Sequence, residues 1–317
     1  MNRFMGGKFS PTYVHAVLSD RIFGINPFMN RILLVLSVWG IVSCNPSRTD
    51  YESYQRLQDK SVPVWASDSN NRTALFIFPH PDDEIVCAGT IAHLKQSGWT
   101  VDLVTLTRGA ENEKVLRSNE WNAAVKSLNI DQAELLDLPN NSWANVMNDS
   151  IVFWYDYPDS VQRMIYRSIM RYRPSVLFTY DTAFGGYGHP EHRMTAKAAV
   201  AVVQQMSSSP EFPVERIFQI TLPEKLEQGM LGHAASYQHA QLVTGNKTLP
   251  DPTVAVDIST TWPEKRKAAM CYGSQAETLS KFFLLPAEAD TTPHFAAFSR
   301  EYYYEVKRIK DGKPSIQ

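Results

Sequence analysis

Apolar runs that alternate with helical segments constrain the fold of this chain more than any other feature. Residues 74–78 read Ala-Leu-Phe-Ile-Phe without a polar interruption, as expected for a strand covered on both faces. A helix is predicted over 84–96, and the run 101–107 has the character of a second strand. This alternation of strand and helix predicts a parallel sheet with helices packed on it.

The same alternation continues along the chain. Further helices are predicted over 115–128, 160–172 and 193–206, and a third clear strand over 176–179. The fold class is therefore α/β, with a doubly wound, mostly parallel sheet and helices on both faces. Ligands of such sheets bind beyond the carboxyl ends of the strands, so the chemistry is expected there.

The composition argues against a nucleic-acid-binding protein and against a disordered chain. The 317 residues include 31 Lys or Arg and 33 Asp or Glu, a formal net charge of −2, which argues against nucleic-acid binding by bulk electrostatics. Aromatic residues make up 11% of the chain, enough for a core and more than a disordered chain carries. The three cysteines are too few for a disulfide framework, so the core must hold the fold.

The N-terminal region has the architecture of a signal peptide. Met29 begins a short positive segment, and the apolar run that follows is too short for an ordinary membrane span. The run ends Ile-Val-Ser-Cys, which resembles a bacterial lipobox, and Cys44 is therefore predicted to be the lipidated first residue of the mature chain. An uncleaved anchor or an isolated apolar helix is the alternative.

These features predict four regions. Residues 1–43 are expected to be a signal segment whose start is over-extended, because an ordinary signal peptide would begin at Met29. The regions after it are predicted to be a polar lipidated tether over 44–71, a single domain over 72–304 and a C-terminal tail over 305–317. A lipid anchor would place the domain in a bacterial cell envelope, outside the cytoplasm.

Two clusters of titratable side chains follow predicted strands. Residues 79–84 read Pro-His-Pro-Asp-Asp-Glu directly after the first strand. Residues 185–192 read Gly-Gly-Tyr-Gly-His-Pro-Glu-His after the third clear strand. Both stretches lie where a strand leads into a helix, so both are expected at the same edge of the sheet.

The residue types in these clusters suit a catalytic metal. His80 and Asp83 are three residues apart, as are His189 and His192, and this spacing brings side chains onto one face of a helix. Two imidazoles and a carboxylate form the kind of three-ligand set that leaves Zn²⁺ an open position for water. Asp82 then remains as a carboxylate able to take a proton, and His189 as a donor on the other side.

Each cluster alone has a structural interpretation. An Asp-Asp pair at a helix start commonly caps the helix and places charge on its dipole. A His-x-x-His pair is commonly a surface pair. Because both clusters fall on the same side of one predicted sheet, the metal site is the better hypothesis.

These residues resemble the PIG-L/LmbE-like zinc-dependent N-deacetylases, a family with a Rossmann-like fold. The resemblance covers most of the predicted mature chain and includes both turns. It extends to the following further positions: Thr107, Arg108, Gly109, Arg117, Glu120, Ala124, Leu128, residues 256–259, Lys265, Lys267, Ser274 and Gln275.

The resemblance implies a role for each site residue. His80, Asp83 and His192 are expected to bind zinc, with Asp82 as the general base. His189 is expected to stabilise the oxyanion or to protonate the leaving amine.

Two more residues take roles from the resemblance. Arg117 corresponds to the arginine that lines the substrate pocket in the family. The Gly-Gly-Tyr-Gly-His sequence is similar to that of mycothiol-pathway deacetylases, so Tyr187 is expected to polarise the scissile carbonyl. Glu191 departs from the family, which usually has Asp there, and Gly273 stands where many members have His.

The function predicted from the sequence is a membrane-tethered, metal-dependent amidohydrolase acting on linear amides. It would remove an acetyl or other acyl group from an N-acylated amino sugar or its conjugate, a small molecule or a glycan. Zn²⁺ is the expected cofactor, with another divalent metal such as Fe²⁺ as an alternative. A glycan-binding surface lipoprotein without activity and a metal phosphoesterase are the rival hypotheses, and the sequence leaves the oligomeric state open.

Overall fold

A computed structural model describes residues 48–66, 69–141, 145, 157–245, 248–282, 292–310 and 313–315. All of them belong to one compact unit, Cys44–Gln317. The predicted signal segment and the predicted lipidation site Cys44 lie outside the described residues.

The described strands form one sheet, and they run in the chain order β1 Thr73–Phe78, β2 Thr100–Thr107, β3 Gln132–Leu138, β4 Val176–Thr179, β5 Arg216–Thr221, β6 Val254–Asp257, β7 Arg300–Lys310 and β8 Lys313–Ser315. Their spatial order is β3-β2-β1-β4-β5-β7-β6, with β8 paired to β7. The first five of these are mutually parallel, and β7 is antiparallel to both β5 and β6. The predicted fold class, α/β with a mostly parallel sheet, is confirmed.

The described α-helices of more than one turn are α1 Arg48–Leu57, α2 Ala88–Gln96, α3 Lys114–Ser127, α4 Pro158–Tyr172, α5 Pro190–Met206, α6 Glu224–Leu231, α7 Ala235–Thr244, α8 Trp262–Ala269, α9 Ala276–Phe282 and α10 Thr292–Ala297. Two short 3₁₀ helices, Asp83–Cys87 and Gly273–Gln275, and a helical turn at Gly185–Gly188 accompany them.

Strand β1 shows why the sheet has helices on both faces. All residues of its apolar run are fully buried. Phe76 and Phe78 contribute to the core beneath α2, α3 and α8, whereas Leu75 and Ile77 contribute to the core beneath α4 and α5. Because side chains alternate along a strand, an unbroken apolar run requires a cover on each side.

The order in which the chain adds strands to the sheet reverses between β1 and β4. The chain proceeds outward from β1 through β2 to β3, then returns to place β4 on the other side of β1. The helices that follow β1 and β4 therefore lie on opposite faces, and a crevice opens between the carboxyl ends of these two strands. This topology brings the two titratable clusters to one place.

Two predicted helices begin three or more residues away from the expected position. The helix predicted over 84–96 is divided into a 3₁₀ helix, Asp83–Cys87, and α2, which begins at Ala88. Helix α5 begins at Pro190 rather than at 193, since a proline at the first helical position loses no intrahelical hydrogen bond. His192 therefore lies inside the first turn of α5.

Residues 48–66, inside the predicted tether, pack against the domain instead of forming a free linker. The Gln58 side-chain amide donates to the Ala297 carbonyl at 2.7 Å, and Val62 is buried beside Tyr302. The Trp65 ring lies 5.3 Å from that of Trp99. Apolar residues of the segment gain a core contact that its polar composition does not suggest.

The predicted C-terminal tail over 305–317 is also partly structured. Strand β7 continues to Lys310, and β8 follows it at Lys313–Ser315. Arg216 of β5 pairs with Glu305 at 2.8 Å, which ties the strand to its neighbour beyond the expected boundary. In the described part of the chain, no helix combines the length and the apolar character required to cross a bilayer.

Candidate metal centre

The centre lies in the crevice at the carboxyl ends of β1 and β4. His80 and Asp83 come from the turn after β1, and His192 comes from the first turn of α5, after β4. Each of the three is at least nine-tenths buried, with exposed fractions of 9%, 4% and 0% in that order. The structure therefore brings together the three residues that were predicted to bind a metal.

The His80 ring is held by a carboxylate. Its Nε2 donates to Glu191 Oε2 at 2.5 Å, so Nδ1 is the nitrogen that faces Asp83 and His192. Burial disfavours the imidazolium of His80, yet the carboxylates of Asp83 and Glu191 outweigh it and raise its pKa to about 10. A metal ion that binds Nδ1 must therefore displace a proton, which makes binding depend on pH.

The His192 ring is oriented by the backbone. Its Nδ1 donates to the Gly185 carbonyl at 3.0 Å, which leaves Nε2 directed at Asp83. The ring also stacks on Tyr180, with centroids 4.0 Å apart and planes at 12°. A hydrogen bond from the distal ring nitrogen is the usual device that fixes the tautomer of a metal-binding histidine.

Asp83 connects the two histidines. Its Oδ2 accepts from the His80 backbone N–H at 2.7 Å, and its Oδ1 accepts from the Tyr180 hydroxyl at 3.0 Å. Burial opposes ionisation, but His192 and His80 more than compensate and hold the pKa of this carboxyl well below its ordinary value. The carboxylate is therefore in the ionised form that a metal ligand requires.

The spacing of the donor atoms fits a zinc ion. His80 Nδ1 lies 3.2 Å from His192 Nε2 and 3.3 Å from Asp83 Oδ2, and His192 Nε2 lies 3.2 Å from Asp83 Oδ1. A tetrahedral Zn²⁺ with bonds of about 2.0–2.1 Å separates its ligand atoms by about 3.3 Å. The donor set, two imidazole nitrogens and one carboxylate, also suits Zn²⁺ or Fe²⁺ better than Mg²⁺ or Ca²⁺.

A second group of donors overlaps the first. His80, His189 and Glu191 also lie within reach of a single ion. Glu191, however, already binds His80 through Oε2 and the Asn141 side-chain amide through Oε1, at 2.5 Å each. These contacts favour Glu191 as the group that orients His80 rather than as a direct metal ligand.

Asp82 does not cap the helix that follows it. Its backbone is left-handed, with φ of 96°, and its side chain makes no hydrogen bond to the N–H groups of the 3₁₀ helix. Its Oδ2 lies 3.1 Å from Nη2 of Arg117. Burial raises the pKa of Asp82 to about 6 and Arg117 opposes the rise, so the carboxylate is ionised and basic at neutral pH.

Arg117 supports the turn that carries Asp82. Arg117 is buried, and its guanidinium donates to the Pro81 carbonyl at 2.5 Å, in addition to its contact with Asp82. It also lies over the Tyr272 ring, 6.0 Å from the centroid. These contacts hold Asp82 in place, and a contact of Arg117 with substrate stays a prediction.

His189 and Tyr187 provide two donors near the centre. His189 is the N-cap of α5, and its Nδ1 accepts from the Glu191 backbone N–H at 3.2 Å. Burial, with His192 and His80, holds the pKa of His189 well below its ordinary value, so the neutral ring carries its proton on Nε2. Burial also raises the pKa of Tyr187 well above its ordinary value, which keeps the phenol protonated.

The sequence reasoning missed three residues that shape the site: Tyr180, Asn141 and Asp181. Asp181 accepts from the backbone N–H groups of Ala183, Phe184 and Gly186, at 2.9, 2.5 and 2.7 Å. Tyr180 and Asp181 directly follow β4, a position that could have marked them. Asn141 contacts Glu191 across 50 positions, and no local pattern signals that.

Gly185 must be glycine for the second cluster to reach the first. Its φ is +64°, and a Cβ there would lie 2.7 Å from both the Arg193 nitrogen and the His192 Cβ. The Gly185 carbonyl is also the acceptor for His192. Any side chain at this position would displace a predicted metal ligand.

Part of the chain matches the model of a known protein family. Residues 75–203 match the family model described as PIG-L: GlcNAc-PI de-N-acetylase. These residues include all three predicted metal ligands together with Asp82, Tyr187 and His189. Over this segment the chain is similar to the PIG-L family.

Two curated relatives extend the similarity beyond that segment. A 1D-myo-inositol 2-acetamido-2-deoxy-alpha-D-glucopyranoside deacetylase from Thermobifida fusca is 26% identical over 257 residues, covering 68% of this chain and 87% of the relative. Such a deacetylase from Catenulispora acidiphila is 25% identical over 288 residues, covering 78% and 87%.

A solved structure supports the fold. The crystal structure of the A40926 pseudoaglycone deacetylase Dbv21 aligns with a TM-score of 0.51 and 18% identity, covering 74% of this chain and 97% of that one. At this identity the likeness supports the α/β architecture alone.

Proposed function

We propose that this protein is a metal-dependent amidohydrolase that removes an acetyl or other acyl group from the nitrogen of an amino sugar or its conjugate. The observation that carries the proposal is a buried group of three donor side chains: His80 Nδ1 lies 3.2 Å from His192 Nε2, and the two carboxylate oxygens of Asp83 lie 3.3 Å from the former and 3.2 Å from the latter. The carboxylate of Asp82, which does not cap a helix, lies beside this group. The names of the curated relatives, which are deacetylases of an acetamido sugar, supply the substrate class.

His80, Asp83 and His192 would hold the metal ion, and Zn²⁺ fits their donor atoms and spacing. When bound, the ion supplies Lewis acidity to a water molecule and to the scissile carbonyl. Fe²⁺ takes similar ligands and is the alternative.

Asp82 would be the general base. Its carboxylate is ionised at neutral pH, and the contacts of Arg117 with Asp82 and Pro81 hold it at a fixed position on the turn. It takes a proton from the attacking water and can pass that proton to the leaving amine.

Tyr187 and His189 would stabilise the charge that develops on the carbonyl oxygen. Both are hydrogen-bond donors, a protonated phenol and an Nε2–H imidazole, and both rings lie near His192, at 5.1 and 4.6 Å between centroids. Because His189 is neutral, a donor role suits it better than a role as general acid.

The lipid anchor stays a proposal. The lipobox-like sequence that ends at Cys44 supports a protein tethered to a membrane of a bacterial cell envelope, outside the cytoplasm. Mass spectrometry of the mature N-terminus tests it. A diacylated Cys44 is expected, and a Cys44→Ser variant that remains in the membrane fraction would contradict the assignment.

A screen for acyl release tests the enzymatic function. Acetate should be released from N-acetylglucosamine, its glycosides, inositol-linked forms or cell-wall fragments, and a chelator should abolish the release until zinc is restored. Metal-loaded protein that hydrolyses none of these while binding a glycan would contradict the proposal in favour of a binding protein. A metal-to-protein ratio near two, with release of phosphate from esters, would instead indicate a phosphoesterase.

A further inference from the structure

A cavity of about 170 Å³ extends away from the candidate metal centre. That is more than ten times the space that a single water molecule needs. One end is formed by Asp82, Asp83 and Tyr187 of the centre itself. From there the cavity continues past the end of β5 toward α6, α9 and α10.

The far part of the cavity has apolar walls. The residues that form them are Ile220, Leu222, Leu226, Met230, Leu231, Leu249, Leu279, Phe295 and Phe298. They come from elements that neither of the two metal-binding clusters contains. A sugar ring presents hydroxyl groups that need hydrogen-bond partners, and walls of this kind do not provide them.

The charged groups along the cavity are already engaged within the protein. Lys265 donates to Glu301 at 2.6 Å and to the Val86 carbonyl at 2.8 Å. Glu301 in turn accepts from the backbone N–H groups of Gly89 and Thr90. Arg300 donates to the Val62 carbonyl at 2.9 Å, so these three side chains are committed to the fold.

We propose that this cavity binds an alkyl chain on the acyl group of the substrate, so that the preferred amide carries an acyl chain longer than acetyl. The inference rests on the proposed hydrolysis of an N-acyl amino sugar. The cavity begins at Asp82 and Asp83, which would flank the reacting carbonyl, and the acyl chain is the part of the substrate bonded directly to that carbon.

The gain in affinity follows from the burial of methylene groups. Each methylene that moves from water into an apolar site is expected to strengthen binding roughly fourfold. An octanoyl group has six more methylenes than an acetyl group. Burial of even two of them gives a gain of about tenfold or more.

Calorimetry with the chelated, metal-free protein measures binding without hydrolysis. N-octanoylglucosamine is expected to bind at least tenfold more tightly than N-acetylglucosamine, with a more negative heat-capacity change. Equal dissociation constants would overturn the proposal. Octyl N-acetylglucosaminide that binds as tightly as N-octanoylglucosamine would overturn the assignment of the chain to the acyl side.

Variants of the cavity wall test where the alkyl chain of the acyl group binds. Met230, half-buried in the cavity wall, is changed to Trp to fill the cavity, and Thr278→Trp does the same from an exposed position on the rim. At least one of them should reduce the advantage of octanoyl over acetyl by fivefold or more. The matched control is Leu242→Trp, at a side chain 76% exposed and outside the cavity, which should leave the ratio unchanged. An unchanged ratio in both cavity variants, with native thermal unfolding, would overturn the proposal.

Failure of this inference and failure of the proposed function give different results. Hydrolysis of N-acetyl and N-octanoyl substrates at equal kcat/KM, without any difference in binding, would leave the amidohydrolase and remove the acyl-chain site. Tighter binding of the octanoyl compound without hydrolysis of either substrate by the zinc-loaded protein would leave the apolar site and remove the function.

Discussion

Replacement of Glu191 by Gln should weaken zinc binding while leaving the fold intact. Glu191 is completely buried, and its Oε2 accepts from His80 Nε2 at 2.5 Å. This contact fixes the ring so that Nδ1 faces Asp83 and His192. Glutamine keeps the size of the side chain and removes its charge, so the core remains filled while the charge-assisted hydrogen bond becomes a neutral one.

The magnitude follows from the strength of that bond. Hydrogen bonds to charged groups contribute about 1.5–3 kcal/mol, against about 1 kcal/mol for neutral ones. The difference corresponds to a loss of about 2- to 30-fold, and removal of such supporting contacts in metal sites typically costs about 10- to 100-fold in affinity. We therefore expect the dissociation constant for zinc to rise about 10- to 30-fold.

Glu191→Asp provides a sharper geometric test. The shorter side chain withdraws the carboxylate by about one bond length, roughly 1.5 Å. The contacts with His80 and with the Asn141 amide, both 2.5 Å, would then exceed hydrogen-bond distance. Although aspartate is the residue usual in the family, here it should weaken zinc binding at least as much as glutamine does.

Competition with a chromophoric chelator measures the zinc affinity of each variant. Glu224→Gln, at an exposed position at the start of α6, is the matched control for loss of one negative charge. Native affinity in both Glu191 variants, with unchanged thermal unfolding, would show that Glu191 does not orient His80. The assignment of His80 Nδ1 as the metal-binding atom would then fail.

Four further predictions concern three residues of the candidate centre and one buried histidine outside it. Asp82→Ala should retain stoichiometric zinc and lose about 10²- to 10⁴-fold in kcat, whereas loss of zinc would make Asp82 a ligand. His192→Ala should lose zinc altogether, and retained stoichiometric metal would refute the ligand set. Tyr187→Phe should keep zinc and lower kcat about 10²- to 10³-fold if the phenol donates to the oxyanion, and native kcat would exclude that role. Burial lowers the pKa of His294 to about 3, so below pH 6.5 the unfolded chain binds a proton that the folded chain does not. The free energy of unfolding should therefore decrease as the pH is lowered, and at pH 5 it should be about 2 kcal/mol below its value at neutral pH. Chemical unfolding of His294→Leu should show a flatter pH dependence than that of the native protein.

Local pattern predicted the central elements well. The apolar run after residue 73, the strand over 101–107 and the strand over 176–179 all appear in the sheet within one residue of their expected bounds. Such strands can be predicted from the sequence because a strand that is covered on both faces must be continuously apolar. The first residues of the helices were harder to predict. Helix α5 begins at Pro190, three residues before the start expected from the alanine-rich run.

Long-range pairing was beyond the reach of the sequence. Strand β7 lies between β5 and β6 and runs antiparallel to both, although it follows both in the chain. Residues 48–66 were expected to be a tether and instead pack against the domain. Neither result has a local signature, because each depends on which apolar surface the rest of the fold leaves uncovered.

The three predicted metal ligands, His80, Asp83 and His192, all lie in the two turn motifs, whose side-chain chemistry and positions after strands are local properties. What the motifs do not specify is which atoms pair with one another in the folded site. Glu191 on His80, the Gly185 carbonyl on His192 and Tyr180 on Asp83 select which atoms face one another. The sequence alone thus specified the kind of chemistry. The position of β4 beside β1 decided that two imidazoles and a carboxylate lie about 3 Å apart. Only tertiary packing can set this distance, because His80 and His192 are more than a hundred positions apart in the sequence.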